Sequence, residues 1–382
     1  MLTKKQIGEI REHLEKAQNP VFFFDNDPDG LCSFLLLQRY IKRGKGVAIK
    51  SFPEMTEEYF RRVNEFNSDY IFILDKPAVS SAFFEEARSF NIPIVWIDHH
   101  KIEGLKVPDF VNYYNPAMKN PKKNAPVTYL CNQVANKKED MWIAVLGCIF
   151  DRFVPDFYDE VYKMYPDLSI KSKEAFDIYY KSQMGYIVRM MCFGLKDRIT
   201  NVMKMLKFFE EVKNPYEVIE ETGKNNEMHL RFRQINKKYQ KLLEKAKMLA
   251  DDFAQSPALP PEEEKISISC KRSPPQKENN LSSRNRSNEN KLLFFQYGGD
   301  LSISADLSNE LSYLYPKKII VVVYVTGIKA NISARGKNVK KIILKSIGGI
   351  EGATGGGHEN AVGAQVKIDD LEKFRENLEK EI

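Results

Sequence analysis

Val21-Phe-Phe-Phe-Asp-Asn-Asp-Pro-Asp-Gly30 is the stretch on which the fold turns. Four apolar residues, Val21 to Phe24, suit a short strand buried on both faces. Asp25, Asn26, Asp27, Pro28, Asp29 and Gly30 then make a sharp acidic turn just past its end. In an open α/β sheet, ligands gather outside the carboxyl ends of the strands, so such a turn is placed for a site. Carboxylates at 25, 27 and 29 would repel one another without a cation to share. Magnesium and manganese take oxygen ligands of this kind. The same residues also read as an Asp/Pro/Gly turn with an aspartate capping the next helix. This stretch alone does not choose between the two.

The pattern recurs on either side. Residues 3 to 18 read as a helix with Ile7, Ile10 and Leu14 on one side, and Leu31 to Tyr40 as a helix packed on a sheet. Val47 to Phe52 is a second short strand and Glu57 to Phe66 a second helix. Asp69-Tyr-Ile-Phe-Ile-Leu-Asp75 is another apolar run ending in an acid. Ser80 to Phe90 follows as a helix with Ser80 or Ser81 as its cap. Then Ile92-Pro-Ile-Val-Trp-Ile97 makes a third apolar run, leading into Asp98-His99-His100. Strands alternating with helices at this spacing predict βαβ units and a parallel sheet. Chance turn chemistry explains one strand ending in possible metal ligands easily, and three poorly. Met141 to Phe150 is an apolar helix delivering Asp151, either as a fourth contribution or as an acid meeting solvent.

Past residue 155 the strand signals vanish. Tyr, Phe, Met and Leu recur at helical spacing among many lysines, and Leu230 to Phe253 reads as one long helix whose charged side is a solvated face. Residues 256–290 carry Pro257, Pro260 and Pro261, a short strand signal at Lys265 to Cys270, and a polar remainder expected to be a flexible linker. The last hundred residues return to α/β. Lys291 to Gln296, Lys317 to Val325 and Ala330 to Ala334 read as strands, with helices at Ala305 to Leu314 and Asp370 to Glu381. Between them lies a glycine-rich loop, Gly355-Gly-Gly-His358, whose backbone N–H groups can approach a phosphate, with Arg335 and His358 to supply charge or hydrogen bonds.

Composition sets bounds. A chain of 382 residues with 43% hydrophobic content predicts two or three domains with sizeable cores. No run approaches the roughly 20 apolar residues of a membrane span, and the N-terminus does not read as a signal peptide. Five cysteines, at 32, 131, 148, 192 and 270, form no Cys-x-x-Cys pair, which points to a reducing, cytoplasmic setting without disulfides or a zinc site. The net charge of +6 is compatible with a polyanionic partner and is weak evidence by itself. Aspartates at 25, 27, 29, 75, 98 and 151 with His99 and His100 are enough donors for two divalent ions, which could act together on a phosphoryl group. Mixed carboxylate and imidazole ligation suits manganese, with magnesium next.

These motifs, in this order, resemble those of the DHH phosphoesterase superfamily, and the long helical stretch most resembles its archaeal RecJ-like branch. The resemblance rests on Asp-x-Asp-Pro-Asp-Gly, Asp75, Asp98-His99-His100, Asp151, and the C-terminal Gly-Gly-Gly-His with Arg335. It implies a parallel-sheet DHH catalytic domain over 1–155, a helical connector over 156–255, the linker over 256–290, and a smaller α/β DHH-associated domain over 291–382. The active site would lie in the cleft between the domains. By motif, Asp29, Asp75, His99 and Asp151 would hold one metal and Asp27 with Asp75 the other. His100 would contact the scissile phosphate, Asp98 would orient a histidine, and Arg335, Gly356, Gly357 and His358 would hold a neighbouring phosphate.

One departure stands out. The family places a histidine in or just before the first acidic motif, where this chain has Phe22, Phe23, Phe24 and Asn26. Either Asp25 takes its place as a ligand, or that first metal position is weak. The implied activity is manganese-dependent removal of nucleotides from single-stranded DNA or RNA. The alternatives are a weakly active replisome scaffold binding helicase-associated proteins, and a phosphoesterase of short oligonucleotides or small molecules.

Overall fold

In the computed structural model, which describes residues 1–50, 54–102, 104–119, 125–255 and 291–382, the apolar runs become strands. They are Pro20–Asp25 (β1), Lys45–Ile49 (β2), Glu54–Met55 (β3), Tyr70–Leu74 (β4), Ala78–Val79 (β5), Ile94–Ile97 (β6) and Val111–Tyr114 (β7). Five of them form one sheet in the order β2-β1-β4-β6-β7, parallel throughout, while β3 and β5 pair separately. β7 has no counterpart in the sequence reading. Its Val-Asn-Tyr-Tyr lies at an edge and is only partly buried, so it lacks the continuous apolar run that marks the central strands.

The register fixes where the strands end. Phe24 pairs with Leu74, and Leu74 with Ile97, so the residues that follow (Asp25, Asp75 and Asp98) emerge side by side. The chain leaves β1 towards β2 at one edge and continues from β4 towards the other, so β1 and β4 flank the switch point of the sheet, where sites form in such folds.

Alternate side chains serve opposite faces. Val21, Phe23, Ile71, Ile73, Ile94 and Trp96 join Phe60, Val63, Phe83 and Phe84 of the helices Phe60–Phe66 and Ser81–Ser89 in one core. On the other face Phe22 stacks on Phe72 at 4.9 Å, and Phe24 stacks on Phe34 of the helix Pro28–Ile41 at 5.2 Å. The helices Val127–Ala135 and Met141–Phe150 cover Pro28–Ile41 in turn. They approach so closely that a Cβ on Gly147 would lie 2.2 Å from Thr128 Oγ1.

The chain forms two compact units, Met1–Ile235 and Asn236–Ile382. The division falls inside the stretch read as a connector, because the helices Gln183–Leu195 and Ile199–Glu211 pack onto Met141–Phe150 and Pro28–Ile41. The long helix read from Leu230 spans Asn226–Gln255. The linker expected over 256–290 lies outside the described residues. Among those residues no helix is long and apolar enough to cross a membrane.

The second unit holds a mixed sheet of Leu292–Gly298 (β8), Ile319–Thr326 (β9), Lys329–Arg335 (β10), Thr354–His358 (β11) and Ala361–Lys367 (β12), ordered β11-β12-β10-β9-β8. Only β8 and β9 are parallel, as the helix Ser304–Leu314 between them allows. Ile343 of the helix Val339–Ser346 and Phe374 and Leu378 of Leu371–Glu381 close its core. The glycine-rich segment is therefore an edge strand, β11, rather than a loop. Its pairing with β12 uses backbone groups that any residue has, whereas its glycines carry no strand signal.

Arg39 ties the helices of the first unit together. Its guanidinium donates to Asp140 Oδ1 at 2.7–2.8 Å and to the carbonyls of Phe209 and Val212 at the end of Ile199–Glu211. Asp140 is 2% exposed, so removing the arginine strands a buried carboxylate. Arg39→Ala is expected to cost this unit about 3–5 kcal/mol. Denaturant melts followed by tryptophan fluorescence test this cleanly, because Trp96 and Trp142 both lie in this unit.

Candidate metal centre

Asp75 sits at the end of β4 with φ +59°, a left-handed conformation that costs a non-glycine residue about 1–2 kcal/mol. Its N–H donates to Ile97 O at 3.0 Å, which locks the turn to the neighbouring strand, and its side chain is buried. His99, 4% exposed, approaches it with Nε2 3.3 Å from Asp75 Oδ1, while Nδ1 lies 3.7 Å from Asp151 Oδ2. His100 Nδ1 is 3.8 Å from Asp75 Oδ1.

Asp98 is fully buried, with its oxygens already engaged. It accepts from His100 Nδ1 at 2.8 Å and from the His100 N–H at 3.1 Å, and Asn115 and Tyr113 hold its other contacts. That arrangement keeps a proton on His100 Nδ1 and settles the ring's orientation.

In the acidic turn the capping reading is met at Asp27, and of its three aspartates only Asp29 joins a donor group. Asp27 is the N-cap of Pro28–Ile41, its Oδ1 accepting the Gly30 N–H at 3.0 Å. Asp29 lies in the first turn of that helix but is held by a second one. Its two oxygens accept the N–H groups of Thr128 and Val127, at 2.8 and 3.0 Å, at the start of Val127–Ala135. A helix N-terminus carries partial positive charge, so this geometry favours a carboxylate.

Close carboxylates in a buried space resist ionisation. Burial, then Asp25 and Asp29, push Asp27 up to about 8, and burial raises Asp29 to about 6. Asp75 rises well above the usual range, through burial and then Asp29 and Asp27. Burial alone would lower His99, but Asp151 and Asp29 outweigh it and the net shift is upward.

Two groups of donors come within 4.8 Å of one another, Asp75 with His99 and His100, and Asp29 with His99 and Asp151. Asp75 Oδ1, His99 Nδ1 and Asn26 Oδ1 are buried without a hydrogen-bond partner. Buried polar atoms are rarely left so, and two of these three are ligand atoms aimed into the cluster. The residues fit a divalent metal ion. Asp29, Asp75, His99, His100 and Asp151 are thus brought together as donors. Asp25 is not part of either group, since its Oδ1 is bound at 2.7 Å by Lys76 Nζ.

In the second unit Arg335 and His358 both register with Ala361, on the strands to either side, and so share one face of the sheet about 10 Å apart. Arg335 Nε donates to Asn309 Oδ1 at 2.6 Å. Gly357 has φ +136° and a Cβ there would lie 2.5 Å from Ala361 O, so the fold itself requires this glycine. Gly356 has open space around it.

Several participants escaped the sequence reading. The N–H groups of Val127 and Thr128 act through backbone, for which side-chain chemistry gives no sign, although Pro126 marks a helix start. Lys76 was visible, as a cation following Asp75 at a strand end. Asn115 and Tyr113 belong to the unanticipated β7 region.

Residues 21–149 match the DHH family, N-terminal domain, and residues 289–382 match the DHHA1 domain, together more than half of the chain. The chain belongs to the DHH superfamily of phosphoesterases, with a RecJ-like fold. RecJ from Thermus thermophilus in complex with Mn2+ superposes with a TM-score of 0.62 at 13% identity, over 98% of this chain and 54% of that one. The chain thus spans about half the length of that relative. An exonuclease RecJ bound to manganese gives 0.60 at 14% identity, over 98% and 93%. A DHH domain described as a member of the S1p family of ribosomal proteins gives 0.61 at 14%, over 99% and 89%. At these identities the likeness is one of fold. No curated protein matches the chain in sequence.

The raised carboxyls predict a pH signature. Folded Asp27 and Asp29 hold protons that the unfolded chain has released above about pH 4, so the unfolded state binds fewer protons between pH 4 and 8. Metal-free protein should therefore lose stability as pH rises through that window. Added manganese or magnesium should flatten the decline, and thermal melts in chelator against metal, across pH 5 to 8, read both effects.

Proposed function

We propose that the chain is a divalent-metal-dependent phosphodiesterase that removes nucleotides from single-stranded nucleic acid. The observation that carries this reading is the pair of buried, unpartnered ligand atoms, Asp75 Oδ1 and His99 Nδ1, at the carboxyl ends of adjacent strands. A site that needs a cation there, in a member of a phosphoesterase superfamily whose fold is shared with an exonuclease, is suited to hydrolysing a phosphodiester. Manganese is the first choice of ion for mixed imidazole and carboxylate ligands, and magnesium the next.

When bound, such an ion screens phosphate charge and lowers the pKa of a coordinated water. The protein's own groups do the rest. Asp29, Asp75, His99 and Asp151 are the proposed ligand residues, Asp29 and Asp151 grouped with His99 in one donor set and Asp75 with His99 in the other, and Asp29 is held by the two N–H groups of Val127 and Thr128. Asp98 holds the His100 ring by Nδ1, which leaves Nε2 as the atom to meet a phosphate oxygen. In the second unit Arg335 and His358 supply donors on one sheet face, and Gly356 leaves β11 bare at a position where packing would tolerate a side chain. This row is proposed to hold a phosphate of the nucleic acid.

End-labelled single-stranded oligonucleotides with manganese test the proposal. Asp75→Ala should abolish metal-dependent loss of label, and equal rates for this variant and the wild type would sink it. Asp98→Asn should lower metal affinity or rate by about 10- to 100-fold. Gly356→Val should leave the melting temperature unchanged and raise KM by about tenfold, equivalent to about 1.4 kcal/mol. A length series of substrates reads preference for long strands over dinucleotides.

A further inference from the structure

We infer that Lys76 supplies the positive charge a second metal ion would bring beside Asp25, so that this centre takes one divalent ion, held around His99. The inference rests on the metal-centre reading above and departs from the two-ion arrangement that the motifs imply. Lys76 Nζ lies 2.7 Å from Asp25 Oδ1, and its side chain is 0% exposed while Asp25 is 22% exposed. The left-handed turn at Asp75 carries Lys76 across from the end of β4 to the end of β1, and Trp96 Nε1 anchors its carbonyl at 2.9 Å. The ammonium is thus walled in on the Asp25 side of the acidic turn. A divalent ion bound to the same carboxylate would face it at close range, in a space with little water to screen the repulsion.

The donors agree with this count. Neither Asp25 nor Asp27 joins a group of three donors close enough to share an ion, among the described residues. Both groups that do form depend on His99, whose Nε2 lies 3.3 Å from Asp75 Oδ1 and whose Nδ1 lies 3.7 Å from Asp151 Oδ2. A neutral imidazole carries one lone pair and one N–H, so His99 can serve only one ion at a time. Beside Asp25 the chain offers no imidazole, having Phe22, Phe23, Phe24 and Asn26 there.

The test is manganese stoichiometry of the full chain, by calorimetry and by electron paramagnetic resonance at saturating metal. Wild type should bind one ion per chain and show the pattern of an isolated ion. Lys76→Met and Lys76→Gln should each gain a second ion, bound at least about tenfold more tightly than any second ion in wild type, with a spin-coupled spectrum. The glutamine variant keeps a hydrogen-bond donor to Asp25 should the methionine variant fail to fold. Two ions or none in wild type, or a folded variant still at one, overturns the inference. Hydrolysis measured on the same samples separates the two readings. Two ions with intact cleavage removes only the role given to Lys76, whereas one ion without cleavage removes only the phosphodiesterase.

Discussion

Charge neutralisation in a confined space governs this protein's first unit. The pairing of Phe24 with Leu74 and of Leu74 with Ile97 brings three aspartates out of adjacent strands, and Asp27 and Asp29 follow within one turn. Isolated buried carboxylates are too costly to keep ionised, so each must find positive charge or hold a proton. The structure answers differently at each one. Asp25 has an ammonium, Asp29 a helix N-terminus, Asp98 a histidine with an asparagine and a tyrosine, and Asp27 the start of its own helix. Asp75 Oδ1 is buried without a hydrogen bond and has only the imidazoles of His99 and His100 nearby, at 3.3 and 3.8 Å.

That inequality separates structure from chemistry within a single cluster. An acid whose hydrogen bonds are complete has little to gain from an added ion, and serves by holding something else in place. Asp98 is of this kind, because its oxygens are taken up by His100, Asn115 and Tyr113. An acid or imidazole with an unmet atom, in contrast, lowers its energy when a cation arrives. The unmet atom of Asp75 faces His99 Nε2, and the unmet Nδ1 of His99 faces Asp151, so the two donor groups meet at this imidazole.

The parallel sheet was legible because its central strands are buried on both faces and so read as unbroken apolar runs. The candidate donors at their ends were legible because the runs stop at acids and histidines. What escaped was whatever depends on partners distant in sequence. β7 is an edge strand with ordinary tyrosines and an asparagine, and β11 pairs through backbone despite three glycines in a row. The helices up to Ile235 read as a connector because their apolar spacing reveals that a face is buried, but not against what. Asp25 was read as a ligand candidate from its neighbours in sequence. Its actual partner, Lys76, is 51 residues away along the chain and one strand away in space.

The grip of Asp29 on Val127 and Thr128 also says something about the order of assembly. It joins residues 98 and 99 positions apart, and Asp151 enters the cluster only from the end of a later helix. Closing a loop of that size is entropically expensive, and contacts of such sequence separation form slowly. A nascent chain that has reached only Asp75 or His99 therefore has scattered acids but no complete cage. Of the two donor groups, Asp75 with His99 and His100 lies within the first hundred residues, whereas Asp29 with His99 and Asp151 is complete only once the helices Val127–Ala135 and Met141–Phe150 have docked. The donor group around Asp29 and Asp151 is therefore assembled late in folding, by finished chains and not by fragments.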